Sequence, residues 1–219
     1  MKHVRVTITA HGGEADIHPM YGLMTGAPFV ERATALQWNY TGDALGILHY
    51  VEGDVDAFDR ATAAVEVVRD YELEPAGEGA FYAYVHDETT CDLREMFDPL
   101  SNGGVVVVPP IRYHSDGTVS MSAVGPTETV QAAFEALRAP VDVEIEAVSG
   151  LGAVPALAET RLSARQREAA AAALELGYYE IPRTASHEDV ADAIGCAPST
   201  AAEHLRKAEA KLLRAALGG

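Results

Sequence analysis

The sequence predicts an α+β N-terminal region, built from tandem ferredoxin-like β-α-β-β-α-β units, followed by an all-α helix-turn-helix domain. Three observations predict it. The first 150 residues run strand, helix, strand, strand, helix, strand, and then repeat that order. The segments HYVEGDVDAFDRATAAVEVVRDYELEP and MSAVGPTETVQAAFEALRAPVDVEIEA each hold a strand, a turn, a helix and a final strand, as a duplication would. From Arg161 to Leu217 the pattern changes to helices alone. The expected divisions are residues 1–77 and 78–150 for the two units, 151–160 for a small, apolar linker, and 161–219 for the helix-turn-helix domain.

Lys2 to Thr9 alternates polar residues with Val4, Val6 and Ile8, a half-buried strand. The glycine-rich stretch His11 to Ala27 has room for a short helix around His18 to Met24. Ala33 to Tyr40 and Leu45 to Val51 are strands joined by the hairpin signal Thr41, Gly42 and Asp43. Asp54 caps a helix to Arg69 whose apolar side is Val55, Phe58, Val65 and Val68, and Tyr71 to Pro75 returns as a strand. The second unit opens with the strand Ala80 to His86 and a helix over Thr90 to Leu100. In the strand Gly104 to Tyr113, Pro109 and Pro110 force an edge position or a bend, because proline has no N–H for a ladder. Ser115 to Gly117 turns the chain into Thr118 to Val124, Thr127 caps a helix to Arg138, and Val141 to Val148 closes the unit.

In the C-terminal segment, Ser163 caps a helix and Gln166 offers a capping box, with Gly177 as the stop. Ser186 caps a second helix from His187 whose stripe is Val190, Ala191 and Ile194. Gly195 provides the left-handed residue for a sharp turn, and Pro198 starts a third helix. That helix buries Ala201, Leu205, Ala208 and Leu212. Ser199, Thr200, Glu203, Arg206 and Lys207 are left on its open faces, where a helix-turn-helix meets DNA. Arg206 and Lys207 suit phosphate or guanine, Ser199 and Thr200 suit phosphates or bases, and Glu203 suits cytosine N4. Arg165 and Arg183 are further candidates for the phosphate backbone, while His204 belongs beside the core. The plain alternative for each is a solvated helix face or a simple cap.

The net charge of -17 has the wrong sign for a DNA binder, but its distribution is uneven. From Thr160 onward eight Lys and Arg balance eight Asp and Glu, so the whole excess lies before that point. Three lysines among abundant acids resemble the composition of proteins from salt-loving organisms. In molar salt the Debye length is about 3 Å and such a charge repels DNA far less. Cys91 and Cys196 lie far apart, which fits a reducing cytoplasm and no disulfide framework. No apolar run approaches the ~20 residues of a spanning helix, so a cytoplasmic protein without a membrane partner is expected. His11, Asp16 and His18, and separately His86 and Cys91, lack paired-ligand spacing, so no metal site is expected. No nucleophile elbow, P-loop or dinucleotide fingerprint occurs, so neither an enzyme nor a cofactor is expected.

The pieces LSARQREA, GYYEIPR, DVADAIG and PSTAAEHLRKAEAKLL, in that order, closely resemble the C-terminal helix-turn-helix of the haloarchaeal bacterio-opsin-activator (Bat-like) regulators. The stretch WNYTGDALGILHYVEGDVDAFD resembles the domain that accompanies it in that family. The resemblance implies a sequence-specific DNA-binding transcription regulator with an N-terminal sensory or assembly module. It does not carry over a ligand. Double-stranded DNA is the expected partner, and a homodimer is expected because one three-helix domain makes few contacts. An unknown small ligand at the N-terminal region is a further possible partner. The competing reading is a ligand-sensing or protein-interaction module whose helix-turn-helix docks a protein.

Overall fold

A computed structural model describes residues 1–102, 104–137, 141–150 and 162–217. The chain divides into two compact units, Met1–Leu151 and Gly152–Gly219. The expected linker at 151–160 lies outside the described residues, as do Arg138 and Arg161.

The first unit contains β1 (Lys2–Thr9), α1 (Glu14–Ile17), α2 (Pro19–Gly26), β2 (Val30–Tyr40), β3 (Ala44–Gly53), α3 (Val55–Ala63), β4 (Val68–Pro75), β5 (Ala80–Glu88), α4 (Cys91–Asn102), β6 (Val106–Tyr113), β7 (Thr118–Gly125), α5 (Thr127–Ala136) and β8 (Asp142–Ser149). All eight strands join one sheet in the order β4-β5-β3-β2-β6-β7-β1-β8. Every pairing is antiparallel. The expected division at residue 77 therefore does not separate two sheets. β1 pairs with β7 and β8, and β5 pairs with β3 and β4, so each half of the sheet takes its inner strand from the other half of the sequence. Local pattern specifies each strand but not its neighbour, which is decided by burial across the whole sheet.

Three register pairs, Ala33 with Tyr113, Thr34 with Arg112 and Ala35 with Ile111, hold the two halves together between β2 and β6. Pro109 and Pro110 bend β6 without sending it to an edge. Its Val106–Val108 segment pairs with β7, the register then skips, and pairing resumes at Arg112. The exchange obliges both first crossovers to cross this seam. α1 and α2 lead from β1 in one half to β2 in the other, and α4 leads from β5 to β6 in the opposite sense.

Alternation fixes the buried face. Leu45, Ile47, His49 and Val51 of β3 and Phe81, Ala83, Val85 and Asp87 of β5 point inward, as do Val4, Val6 and Ile8 of β1. Two apolar clusters cover that face. Leu93, Phe97 and Leu100 of α4 and Val130 and Phe134 of α5 build one around β1 and β7. Met20 and Met24 of α2 and Phe58 of α3 build the other around Val51 and Phe81. α2 serves both, because its Tyr21 packs in the first cluster. Tyr21 also donates a hydrogen bond to the Gly117 carbonyl at 3.0 Å, and Thr90 donates to the Ile17 carbonyl at 2.9 Å.

Two helix boundaries correct the sequence reading. The helix from Asp54 stops at Ala63, and Val68 opens β4, so the apparent helical stripe through Val65 and Val68 belongs to β-branched residues entering a strand. The residue before α5 is Pro126, and no side chain caps that helix; Thr127 is already its first residue. Asp54 does cap α3, accepting from the Ala57 amide at 3.0 Å.

Candidate nucleic-acid interface

The second unit contains α6 (Ala164–Glu175), α7 (His187–Ile194) and α8 (Pro198–Leu217). Both expected caps form as full capping boxes. The Ser163 hydroxyl accepts from the Gln166 amide while the Gln166 side chain accepts from the Ser163 amide, and Ser186 and Asp189 do the same for α7. These caps satisfy amides that a helix start otherwise leaves bare. The Asp189 carboxyl is held below its ordinary range, chiefly by the Ser186 amide. Gly195 ends α7 at φ 64 and ψ 51, a left-handed conformation, and three residues later Pro198 begins α8. Gly177 after α6 also has positive φ, and a methyl group there would meet Thr184 Oγ1 at 2.0 Å.

The three helices share a core of Ala169, Ala173, Val190, Ala191, Ile194, Ala201 and Leu205. Alanine dominates it, so the helix axes approach closely and α8 is held in one rotational setting. Ala208 continues the buried stripe, but Leu212 is exposed and Ala215 is the next buried residue. The expected seat for Leu212 is thus corrected. A helix of 3.6 residues per turn drifts off the seam, and the next step of seven from Ala208 falls at Ala215.

That setting exposes Ser199, Thr200, Glu203, Arg206 and Lys207 together on one side of α8. No side-chain hydrogen bond of Ser199 or Thr200 is formed among the described residues. Glu203 accepts from Lys207 at 2.6 Å across one turn, which holds the Glu203 carboxyl down. Arg206 lies beside this pair and makes no salt bridge among the described residues. His204 is half-buried beside the stripe. Arg165 is instead tied to Glu168 at 2.7 Å and to the last turn of α7 through the Ile194 carbonyl at 3.3 Å. Arg183 lies 4.1 Å over the Tyr178 ring. Neighbouring Tyr179 donates to Glu209 of α8 at 2.6 Å, so the 178–183 loop is fastened to the helix pair.

Two family models match the chain. The HVO_0513_N N-terminal model covers residues 18–150, more than half of the chain, and the model described as HTH DNA binding domain covers residues 162–214. The chain belongs to the HVO_0513_N N-terminal family. It carries a helix-turn-helix DNA-binding domain of the Bat-like kind behind that segment. Among curated relatives, Transcriptional regulator NarO of Haloferax volcanii is 37% identical over 84 residues, which are 38% of this chain and 40% of that protein. The dimethyl sulfoxide reductase transcriptional activator of Halobacterium salinarum is 45% identical over 56 residues, 26% of this chain and 25% of that protein. The chain thus spans well under two thirds of these relatives. No described helix is long and apolar enough to cross a membrane.

The HVO_0513_N segment contains a second feature, which strand-by-strand reading missed. Beneath the β2–β6 seam is a cavity of about 80 Å³, lined by residues of both sheet halves and of α2 and α4. Its walls include Met20, Met24, Met96, Met121, Trp38 and Phe97. One side is polar. His18, His49 and Asp87 are 3%, 2% and 3% exposed, and His18 Nε2, His49 Nδ1 and Asp87 Oδ1 make no hydrogen bond of normal geometry, although the backbone of Glu88 lies near enough to His18, and that of Ala83 to His49, to favour their protonated forms slightly. Burial lowers the pKa of both histidines to about 4 and raises that of Asp87 to about 7. A signal for His49 and Asp87 exists in the sequence. Both occupy inward positions of otherwise apolar alternation, Leu45-Ile47-His49-Val51 and Phe81-Ala83-Val85-Asp87.

Proposed function

We propose that this chain is a sequence-specific DNA-binding transcription regulator, reading base edges and phosphates with the start and open face of α8. The observation that carries this reading is the joint exposure of Ser199, Thr200, Glu203, Arg206 and Lys207 on a helix whose entry is fixed by Ser186, Gly195 and Pro198. The names of the haloarchaeal relatives support it. Arg206 is the first choice for guanine or phosphate, and Lys207 joins it once DNA competes for its bond to Glu203. Arg165 and Arg183, whose guanidinium groups are held by Glu168 and Tyr178, serve phosphates in this reading. Because the helical unit is electrically balanced, binding in concentrated salt relies on hydrogen bonds and shape more than on counterion release.

The N-terminal unit is the assembly and sensory module in this reading, a pair of ferredoxin-like halves with their first strands exchanged. Two copies pair through the open face of the sheet. Tyr82 and Tyr84 stand exposed there, with Tyr82 edge-on to Tyr50 of β3, whereas both edge strands are acidic. Asp70, Glu72 and Glu74 line β4 and Asp142, Glu144 and Glu146 line β8, so edge-to-edge pairing would oppose like charges.

The test is a selection of binding sites from random duplexes in molar potassium chloride, followed by titration of the selected and a scrambled site. Wild type is expected to prefer the selected site. The Arg206→Ala/Lys207→Ala double variant should lose about 10-fold or more in affinity, the scale of one lost base contact. Equal binding of both duplexes by both proteins would leave protein docking as the reading, a role consistent with the partial cancellation of Lys207 by Glu203.

A further inference from the structure

We infer that the cavity under the seam is a ligand site for a small, uncharged alcohol or phenol, a molecule apolar on all sides but one and no larger than a single ring. This deepens the sensory part of the reading above.

The polar side of the cavity sets the group that it can hold. His18 Nδ1 accepts from the Met20 amide at 3.3 Å as the cap of α2. A neutral imidazole with one nitrogen accepting carries its proton on the other, so His18 presents Nε2–H as a donor. Asp87 Oδ2 is 3.8 Å from that nitrogen, too far for a direct hydrogen bond. A hydroxyl accepts and donates at once, and so can satisfy His18 and Asp87 together. A hydrocarbon satisfies neither, and a carboxylate would bring a second acid against Asp87 in a site with no cation on its wall. His49 faces the same space, with Nε2 3.5 Å from the Tyr113 hydroxyl and Nδ1 without a hydrogen bond of normal geometry, the Ala83 backbone being its nearest partner.

The remaining walls set size and shape. A volume of about 80 Å³ is about half that of a cavity of ~150 Å³ that accepts benzene, so a single ring enters only as the walls give way. Four methionines line it, and their unbranched chains yield to a ring more readily than β-branched walls would. Trp38 and Phe97, with ring centres 4.4 Å apart, give such a ring a flat partner. The position gives occupancy a consequence. Ile111 and Tyr113 of β6 and Ala35 of β2 line the cavity and also supply two of the three register pairs of the seam. An occupant therefore packs against the joint between the two halves.

Trp38 is the only tryptophan in the chain, so its fluorescence, excited at 295 nm, reports on this cavity in the full-length protein. Phenol and cyclohexanol are expected to change it saturably and to raise the melting temperature. Benzene should bind at least about 10-fold more weakly, and benzoate should not bind. Ala35→Leu and, separately, Val119→Phe should abolish the response by filling the space while the Trp38 melting transition remains. Asp87→Asn and His18→Gln should narrow the gap between cyclohexanol and cyclohexane. No saturable response to either alcohol overturns the proposal, as does equal binding of alcohol and hydrocarbon, or a response that survives both filling variants. If a filling variant loses the Trp38 transition, the other variant and the alcohol-against-hydrocarbon comparison decide. No DNA enters this assay, so its failure and that of the DNA-reading proposal are distinguishable.

Discussion

The two units treat their polar groups in opposite ways. In the helical unit the exposed helix starts are closed by Ser163–Gln166 and Ser186–Asp189 boxes, and the core is alanine and aliphatic carbon. In the sheet unit three buried polar atoms around one cavity make no hydrogen bond of normal geometry. The first arrangement holds a recognition surface rigid. The second leaves desolvation uncompensated at a place where something else can compensate it. The charge follows nearly the same division, with the whole acidic excess lying before Thr160.

Perturbing each core should sharpen that contrast. The largest effect is expected from Leu205→Ala, which empties a side chain 2% exposed at the centre of the three helices; a loss of about 2–5 kcal/mol should abolish the helical unit's cooperative melting by circular dichroism while leaving Trp38 fluorescence unchanged. Asp87→Asn should do the reverse, stabilising the sheet unit above neutral pH. The raised Asp87 pKa means that the native state keeps a proton the unfolded chain has released, so stability falls as pH rises from about 4 to about 7, and the amide removes that fall. Urea titrations read through Trp38 at pH 8 check it, and a less stable variant at pH 8 would contradict the account.

The two histidines act with the opposite sign. Their lowered pKa values mean that the unfolded chain takes up protons first, so stability is full above about 6.5 and is lost as pH falls toward about 4. Two histidines outweigh one aspartate in that interval. Wild type should therefore weaken on acidification from pH 6.5 to 4.5, and His49→Gln should flatten the slope in urea titrations followed by Trp38. Smaller still, Ser186→Ala should cost about 1 kcal/mol in the helical unit's chemical denaturation, the usual worth of such a cap. Replacing Glu203 with Gln frees Lys207 from an exposed ion pair with little effect on stability; it should raise affinity for duplex DNA, measured by fluorescence anisotropy, unless Glu203 itself reads cytosine.

Local chemistry in the sequence determined the helical unit almost completely. Ser163, Gln166, Ser186, Gly195 and Pro198 each carry out a step that depends only on near neighbours, so the helix ends and the exposed face of α8 follow from them. Leu212 was the exception, because the phase of a long helix drifts by a fraction of a residue at each turn. The strands of the sheet unit were legible for the same local reason, through alternation. Their partners were not. That β1 lies between β7 and β8 depends on contacts more than 100 residues apart, and that β5 enters beside β3 on contacts 28 to 44 residues apart, which no local period encodes. His18, Asp87, His49 and Tyr113 come together because the exchange sets β5 beside β3, joins β2 to β6 and brings the start of α2 under the same seam. The sequence by itself determined which residues face inward, since side-chain direction has a period of two. The tertiary structure alone decided what they face, since convergence of distant strands is a property of the packed whole.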